Sequence, residues 1–269
     1  MSLMLFSDKI LQKSYLEKIY SNIDKKFLQK FDFLVISSHP NDMQQTLEML
    51  YKSKNKKIIF DLADEWHRVP FYYNNTDVEL ILKEFSPQNY EIFNKLIPLP
   101  VYYNYKKINQ IPIDNRKLFL YSNMWLTPSR MKLKEIFDNY KNESCSITWN
   151  TDFAKGVTNE EYLKNMSDAL VTICPTGYIS PEVAKIGEGL MCGNIIISSK
   201  KPNYPYYKDN SFFIYEDERE IPEILNHIQK LSSQEKQNII DKNNFMFNTK
   251  YCPEAIANIL NERIHLCVS

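Results

Sequence analysis

The chain has 269 residues, of which 43% are hydrophobic and 25% are charged, and its 33 basic residues balance its 33 acidic ones. This is the composition of an ordinary globular protein, with enough length for one large domain or two small ones. The formal net charge of zero argues against binding to duplex nucleic acid, because that affinity rests mainly on excess positive charge.

The sequence shows no signal for a membrane-spanning or secreted protein. No apolar run approaches the roughly 20 residues that a membrane helix needs, and charged residues appear too early at the N-terminus for a secretory signal. The five cysteines are odd in number and lack CxxC spacing, which argues against a metal site or a disulfide framework. We therefore expect a cytoplasmic protein without an integral membrane segment, although peripheral membrane association and the oligomeric state stay open.

The first half of the chain alternates strand-like and helix-like segments. Thr76 and Glu79 have the spacing of a capping box, which predicts a helix through residues 80–82. Two prolines within residues 95–105 favour a short strand that leads into an extended connection. The other elements predicted in this half are strands at 3–6, 31–37 and 57–61 and a helix over 41–54.

The alternation begins again at residue 117. Two helix starts carry recognisable caps: Thr127 precedes Pro128, and Thr158 stands three residues before Glu161. The other elements predicted here are strands at 117–123, 144–150, 170–175 and 194–198, a helix capped by Ser232 and Glu235, and a final helix from Pro253.

Strands that alternate with helices imply βαβ units, parallel sheets and right-handed crossovers. Because the pattern begins twice, we expect an α/β protein with two Rossmann-like domains whose parallel sheets face a cleft. The first domain would span residues 1–105 and the second 117–269, with the polar segment 106–116 as their linker. The last helix could pack back on the first domain.

The segment CPTGYISPEVAKIGEGLMCGNIIIS, residues 174–198, combines a strand end, a tight loop, a helix and a buried strand. Ser180 and Pro181 are typical of a helix start, since the hydroxyl caps the helix and proline suits its first position. Apolar residues then recur at helical spacing. Gly193 is placed to end the helix in the left-handed conformation.

The loop at the start of this segment is placed to bind a ligand. Ligands of open α/β sheets bind outside the carboxyl ends of the strands, where helix N-termini attract phosphate. Gly177 allows the backbone to approach a ligand closely, and Glu188, on the predicted polar side of the helix, could reach the hydroxyls of a ribose. The alternative is structural: Glu188 pairs with Lys185 on a solvated face, and Gly177 only serves a turn.

These residues resemble the donor-binding segment of GT-B glycosyltransferases, most closely that of the exostosin-like group. The segment of that group runs P-x-G, a basic residue, E-A-L and G-x-I-P-V-I. The matching residues here are Pro175, Gly177, Lys185, Glu188, Gly189, Leu190, Gly193 and 195–197. Lys185 stands where the group usually has arginine, and Gly189 replaces its common alanine.

The resemblance extends over roughly residues 117–215. The stretch EEYLKNMSDALVTICP matches the segment that precedes P-x-G in the group. The stretch LFLYSNMWLTPSRMKLKEIF is similar to the opening strand and helix of the nucleotide domain, with Arg130 at its basic position. The resemblance thus implies the GT-B arrangement of two domains for this chain.

The activity implied is transfer of a sugar from a nucleotide-diphosphate sugar to a glycan or glycoconjugate acceptor, with no cofactor. The sequence contains no Asp-x-Asp triplet, so we expect no metal ion and stabilisation of the leaving diphosphate by cations and a helix dipole. Trp149 and Asn150 could border the nucleoside base. The residues expected to bind the donor are Arg130, Lys155, Thr176, Gly177, Tyr178, Ser180, Lys185 and Glu188; for Arg130 and Lys155 the alternative is an ordinary surface cation.

The catalytic base is expected in the first half, in loops 37–42 and 61–73, which follow two neighbouring strands. Asp64 ranks first because it stands just beyond a strand end beside a second carboxylate. His39 ranks second, since histidine titrates near neutral pH, and Glu65 ranks third. The residues expected to contact the acceptor are Asp61, His67 and Arg68.

Two other functions fit the same pattern. A sugar-nucleotide epimerase of this fold would need no acceptor cleft. A non-catalytic subunit or scaffold for a partner glycosyltransferase would keep the fold and bind no nucleotide.

Overall fold

A computed structural model describes residues 13–36, 48, 50–62, 71–84, 92, 94–100, 105–140, 144–152, 156–175, 184–199 and 209–268. The chain divides into two compact units. Unit 1 comprises the described residues up to Tyr105 and those from Asn248 onward, and unit 2 runs from Lys106 to Phe247.

Parallel strands and helices make up both units, as the α/β prediction required. Among the described residues, no helix combines the length and the apolar character needed to cross a bilayer. The elements are, in chain order, α1 (Lys13–Ser21), α2 (Lys25–Leu28), β1 (Phe31–Ile36), β2 (Lys56–Asp61), β3 (Val78–Lys83), β4 (Leu96–Pro98), β5 (Leu118–Trp125), α3 (Met131–Asn139), β6 (Cys145–Asn150), α4 (Asn159–Ser167), β7 (Ala169–Cys174), α5 (Ala184–Met191), β8 (Ile195–Ser198), β9 (Phe213–Ile214), α6 (Ile221–Lys230), α7 (Ser233–Met246) and α8 (Pro253–Val268).

Unit 1 is built on a four-stranded parallel sheet in which the strands lie in chain order, β1-β2-β3-β4. All six residues of β1 are buried, which is typical of a parallel strand covered on both faces. Helix α8 packs against α1, and the hydroxyl of Tyr15 donates to the carbonyl oxygen of Tyr251 at 2.7 Å. The first and last parts of the chain are therefore held together in this unit.

The helix predicted through residues 80–82 is wrong, because this segment forms strand β3. Its residues Val78, Leu80, Ile81 and Leu82 are all buried, and a continuous apolar run of this length suits a central parallel strand. The two residues with capping-box spacing instead surround a lysine of β2. Lys56 Nζ donates to the carbonyl oxygen of Thr76 at 3.0 Å and lies 2.8 Å from a carboxylate oxygen of Glu79.

Unit 2 is built on a five-stranded parallel sheet in the order β6-β5-β7-β8-β9. Counted within the unit this is the order 2-1-3-4-5 of doubly wound sheets, which bind ligands where the winding reverses, here between β5 and β7. Strand β5 pairs with β7 only as far as Tyr121, but it stays paired with β6 as far as Trp125. The two strands therefore separate towards their carboxyl ends.

Local sequence signals in unit 2 account for its elements. The hydroxyl oxygen of Thr158 accepts from the backbone N–H of Glu161 at 3.2 Å, and Ser232 and Glu235 form both bonds of a capping box. Gly193 has φ of +72°, as predicted for a helix end. The strands predicted in this half are confirmed, whereas β9 and α6 were not predicted.

Some predicted elements fall on residues outside the described ranges. These are the strand at 3–6 and most of the helix over 41–54, of which residues 48 and 50–54 are described, with 48 and 50–52 helical and 53–54 not. The predicted helix start at Thr127 is modified: Pro128–Arg130 form a 3-10 turn before α3 begins.

Candidate functional site

Two cationic side chains bind the carboxyl end of β5. Lys185 of α5 donates from Nζ to the carbonyl oxygen of Asn123 at 2.7 Å and to the hydroxyl oxygen of Ser122 at 3.2 Å. Arg130 donates from Nη1 to the carbonyl oxygen of Trp125 at 3.0 Å. Both cations are partly buried and are held here by neutral oxygens.

The direction of the two backbone carbonyls explains why cations bind at this point. The backbone N–H of Leu126 donates to Asn150 in β6, so the carbonyls of Asn123 and Trp125, at alternate positions, point to the side of β7. Since β7 is paired with β5 only up to Tyr121, these two carbonyls need other donors. Lys185 and Arg130 supply them at the point where the winding of the sheet reverses.

The two cations also influence each other electrostatically. Burial and repulsion by Arg130 lower the pKa of Lys185 to about 8, against the opposing effects of Cys174 and Glu188. Burial likewise lowers the pKa of Arg130. A bound anion would favour the charged form of both side chains. The arrangement therefore suits an anionic ligand such as a phosphate ester.

The sequence placed Glu188 on the polar side of its helix, but the structure shows that this side chain is buried. It is 3% exposed, and one carboxylate oxygen accepts from the hydroxyl of Tyr162 at 2.8 Å. Burial and the adjacent Glu188 raise the pKa of Tyr162 well above its usual value, so this hydroxyl stays a donor. Every residue of α5 except Lys185 is buried, so the helix has no fully polar side.

Close packing of α5 explains the glycine at position 189. A Cβ atom there would lie 2.7 Å from Ile196 Cδ1 and 2.7 Å from Thr172 Cγ2, closer than such atoms normally approach. The alanine that is common at this position in the exostosin-like group would therefore not fit this chain unless the side chains of Thr172 and Ile196 moved.

We expect Gly189→Ala to lower the free energy of unfolding by about 1–3 kcal/mol, the usual cost of overpacking a core. Denaturation in urea, followed by circular dichroism, measures this change. Helix propensity alone favours alanine over glycine by about 1 kcal/mol, so a variant as stable as the wild type or more so would contradict the packing argument.

The carboxyl ends of β5 and β6 are tied together beside the cations. The side-chain amide of Asn150 donates to the side-chain oxygen of Asn123, and Trp125 Nε1 donates to the carbonyl oxygen of Thr151 at 3.0 Å. Gly156 has φ of +108°, and a Cβ atom there would lie 2.2 Å from the Asn150 side-chain oxygen. The backbone at Gly156 therefore lies directly against the side chain of Asn150.

Of the residues expected to bind the donor, the structure describes three, all in unit 2: Arg130 and Lys185 at the carboxyl end of β5, and Glu188 buried against Tyr162. Asn123 and Ser122, which hold Lys185, were not predicted, since polar residues near a strand end are common. Trp149 is half-buried and packs against the core of this unit. The other predicted donor-binding residues lie outside the described residues: Lys155, Thr176, Gly177, Tyr178 and Ser180.

In unit 1 the structure describes one predicted site residue, Asp61, at the end of β2. It is 2% exposed and accepts from Lys83 Nζ at 3.0 Å and from the hydroxyl of Tyr72. The neighbouring Glu84 is also buried. Lys83 was missed because its segment was predicted to be helical. The predicted residues that lie outside the described residues are His39, Asp64, Glu65, His67 and Arg68.

Within the described ranges, no three or more His, Cys, Asp and Glu side chains form a group that could hold a metal ion. The features that are described define an α/β protein with Rossmann-like parallel sheets and a cationic site at the strand ends of unit 2.

No protein-family model matches the sequence, and no curated protein matches it either. Among solved structures, the chain is similar to the crystal structure of TarM, with a TM-score of 0.49 and 12% sequence identity. The match covers 91% of this chain and 57% of the TarM chain, so the chain spans little more than half the length of that structure.

Proposed function

We propose that this protein is a glycosyltransferase that takes its sugar from a nucleotide-diphosphate sugar and transfers it to a glycan or glycoconjugate without a metal ion. The observation that carries the proposal is the pair of cations, Lys185 and Arg130, at the strand ends where the winding of the unit 2 sheet reverses. Lys185 lies in the segment that resembles the donor-binding segment of GT-B glycosyltransferases, and Arg130 lies in the stretch that is similar to the opening strand and helix of their nucleotide domain.

The two carbonyls that the cations bind are spaced so that the cations could hold a diphosphate. Asn123 and Trp125, whose carbonyls they bind, are two residues apart on a strand, which corresponds to about 7 Å. Two linked phosphate groups could then each meet one cation. When the bond to the sugar breaks, negative charge develops on the diphosphate, and cations already in place stabilise it without reorganisation.

The acceptor-binding residues and the catalytic base are proposed to belong to unit 1. Asp64 remains the first candidate for the base, followed by His39 and Glu65, and His67 and Arg68 are proposed to contact the acceptor. Because Asp61 is buried in an ion pair with Lys83, we propose that it stabilises the carboxyl end of β2.

A thermal-shift panel of UDP, GDP, CMP and ADP, each with EDTA, tests the proposal. A ligand that binds the native state alone stabilises it by about 2.7 kcal/mol at a hundredfold excess over Kd, so at least one nucleotide should raise Tm clearly. Activity found with the matching sugar donor should likewise persist in EDTA.

Each contrary result has its own meaning. If no nucleotide raises Tm, the scaffold function becomes the better account. If Tm or activity responds only after Mg²⁺ or Mn²⁺ is added, the metal-independent mechanism is wrong. If the sugar nucleotide is epimerised without any acceptor, the protein is an epimerase.

A further inference from the structure

Trp125 ends strand β5 at the edge where the cations lie, and 40% of its surface is exposed. Its Nε1 donates to the carbonyl oxygen of Thr151 at 3.0 Å. The ring nitrogen, which is the one polar atom of the side chain, is thus bound to the backbone that follows β6. This bond fixes the orientation of the ring, so its exposed surface is apolar and aromatic.

A pair of side-chain amides stands beside the indole. Asn123 lies two residues before Trp125 and so on the same face of β5, and its amide is bonded to that of Asn150. Asn150 is also the residue that pairs with Trp125 in the sheet. An aromatic surface next to amide groups suits a sugar ring, because the C–H face of the ring packs on the indole and its hydroxyls meet polar groups.

Arg130 links the cationic pair to Trp125. Its Nη1 is bonded to the carbonyl oxygen of Trp125, and it interacts electrostatically with Lys185, which binds the carbonyl of Asn123. In the proposed function the diphosphate meets these two cations, so a group linked to the diphosphate lies near Trp125. Of the two groups that the diphosphate links, the transferred sugar suits this surface better, because its hydroxyls can bond to the amide pair while its ring packs on the indole.

We propose that Trp125 is the stacking surface for the transferred sugar ring of the donor, an inference that rests on the proposed function. The class of ligand recognised is a hexose or related pyranose linked to a nucleoside diphosphate. The nucleoside base is the competing assignment for the same aromatic surface, since bases also stack on tryptophan.

The test compares the Kd of a nucleoside diphosphate with the Kd of its hexose conjugate. The nucleotide is the one that raises Tm in the thermal-shift panel, and the ligand pair is then UDP and UDP-glucose, GDP and GDP-mannose, or ADP and ADP-glucose. Trp125→Leu should weaken binding of the conjugate by about threefold to tenfold and leave the Kd of the nucleoside diphosphate unchanged. The matched control is Phe119→Leu, which changes a half-buried aromatic residue that packs on the core at the other end of β5 and should leave both constants unchanged.

A second measurement does not require the Trp125→Leu variant to fold. The chain has three tryptophans, so a Trp66→Phe/Trp149→Phe variant leaves Trp125 as the sole indole fluorophore. Its emission should change when the hexose conjugate is added and much less with the nucleoside diphosphate alone.

Three results would overturn the inference. If Trp125→Leu weakens the affinity for both ligands equally, or if both ligands change the emission equally, the indole contacts the nucleoside base. Unchanged constants together with unchanged emission would mean that the indole contacts no part of the donor. If no nucleotide binds the wild type or any variant, the proposed function fails, and this inference fails with it.

Discussion

Lys185→Met should weaken binding of the nucleoside diphosphate by about tenfold to a hundredfold while the protein stays folded. A charge-assisted hydrogen bond contributes about 1.5–3 kcal/mol, and the methionine side chain cannot make one. Stability should change little, because two effects oppose each other. The variant no longer buries a cation, but the carbonyl of Asn123 loses the donor that Lys185 supplied.

The pH dependence of binding gives this prediction its sharpest form. With a pKa of about 8, Lys185 in the free protein loses its charge as the pH rises through that value. A bound diphosphate favours the cation, so binding takes up a proton and the affinity should fall as the pH rises above about 8. The phosphate groups have their own pKa near 6, so they stay ionised throughout this range.

Lys185→Arg separates the charge of the side chain from its titration. Arginine, the usual residue at this position in the exostosin-like group, keeps its charge to above about pH 12. The variant should therefore bind the nucleotide with an affinity that is constant between about pH 7 and 9.5. Isothermal titration calorimetry of both proteins across this range measures the difference.

Lys132→Met is the matched control, because Lys132 is an exposed cation of α3 that pairs with Asp217 at 2.8 Å. This variant should bind as the wild type does, with the same pH dependence. If it loses as much affinity as Lys185→Met, binding depends only on overall charge. If Lys185→Met keeps wild-type affinity, Lys185 merely fills the space between β5 and α5.

Most of the sheet could be predicted because buried parallel strands are short, continuous apolar runs. The same rule failed for β3, where a spacing that favours a helix cap preceded such a run, and burial in the sheet decided the outcome. The short strand β9 has only two residues, Phe213 and Ile214, too few for a periodic signal.

The burial of Lys185 and Glu188 could not be predicted from the apolar stripe of their helix. A stripe shows which side of a helix packs on the sheet, but it does not show what covers the other side. In α5, Glu188 is covered by Tyr162 of α4 and Lys185 binds the end of β5, and both partners are distant in sequence. The exposed position of Trp125 was not predicted, because a tryptophan in a strand is usually a core residue.

Asp61→Asn should have the largest effect on stability, lowering the free energy of unfolding by about 3–5 kcal/mol, the usual cost of removing one partner of a buried ion pair. Lys83 is 1% exposed, and its Nζ lies 3.0 Å from the carboxylate. Asparagine keeps the shape of the side chain and can still accept from Tyr72, so the variant tests the charge rather than the volume. Urea denaturation of the whole chain measures the loss in the free energy of unfolding.

The double variant Asp61→Asn/Lys83→Met distinguishes a buried ion pair from simple packing. Because it also removes the buried cation, it should be more stable than Asp61→Asn alone, which gives a favourable coupling energy between the two sites. The control is the exposed pair of Glu48 and Lys52, 2.9 Å apart, where Glu48→Gln should cost less than about 0.5 kcal/mol. If Asp61→Asn costs no more than this control, the pair does not stabilise the carboxyl edge of the unit 1 sheet, and the role proposed for Asp61 is wrong.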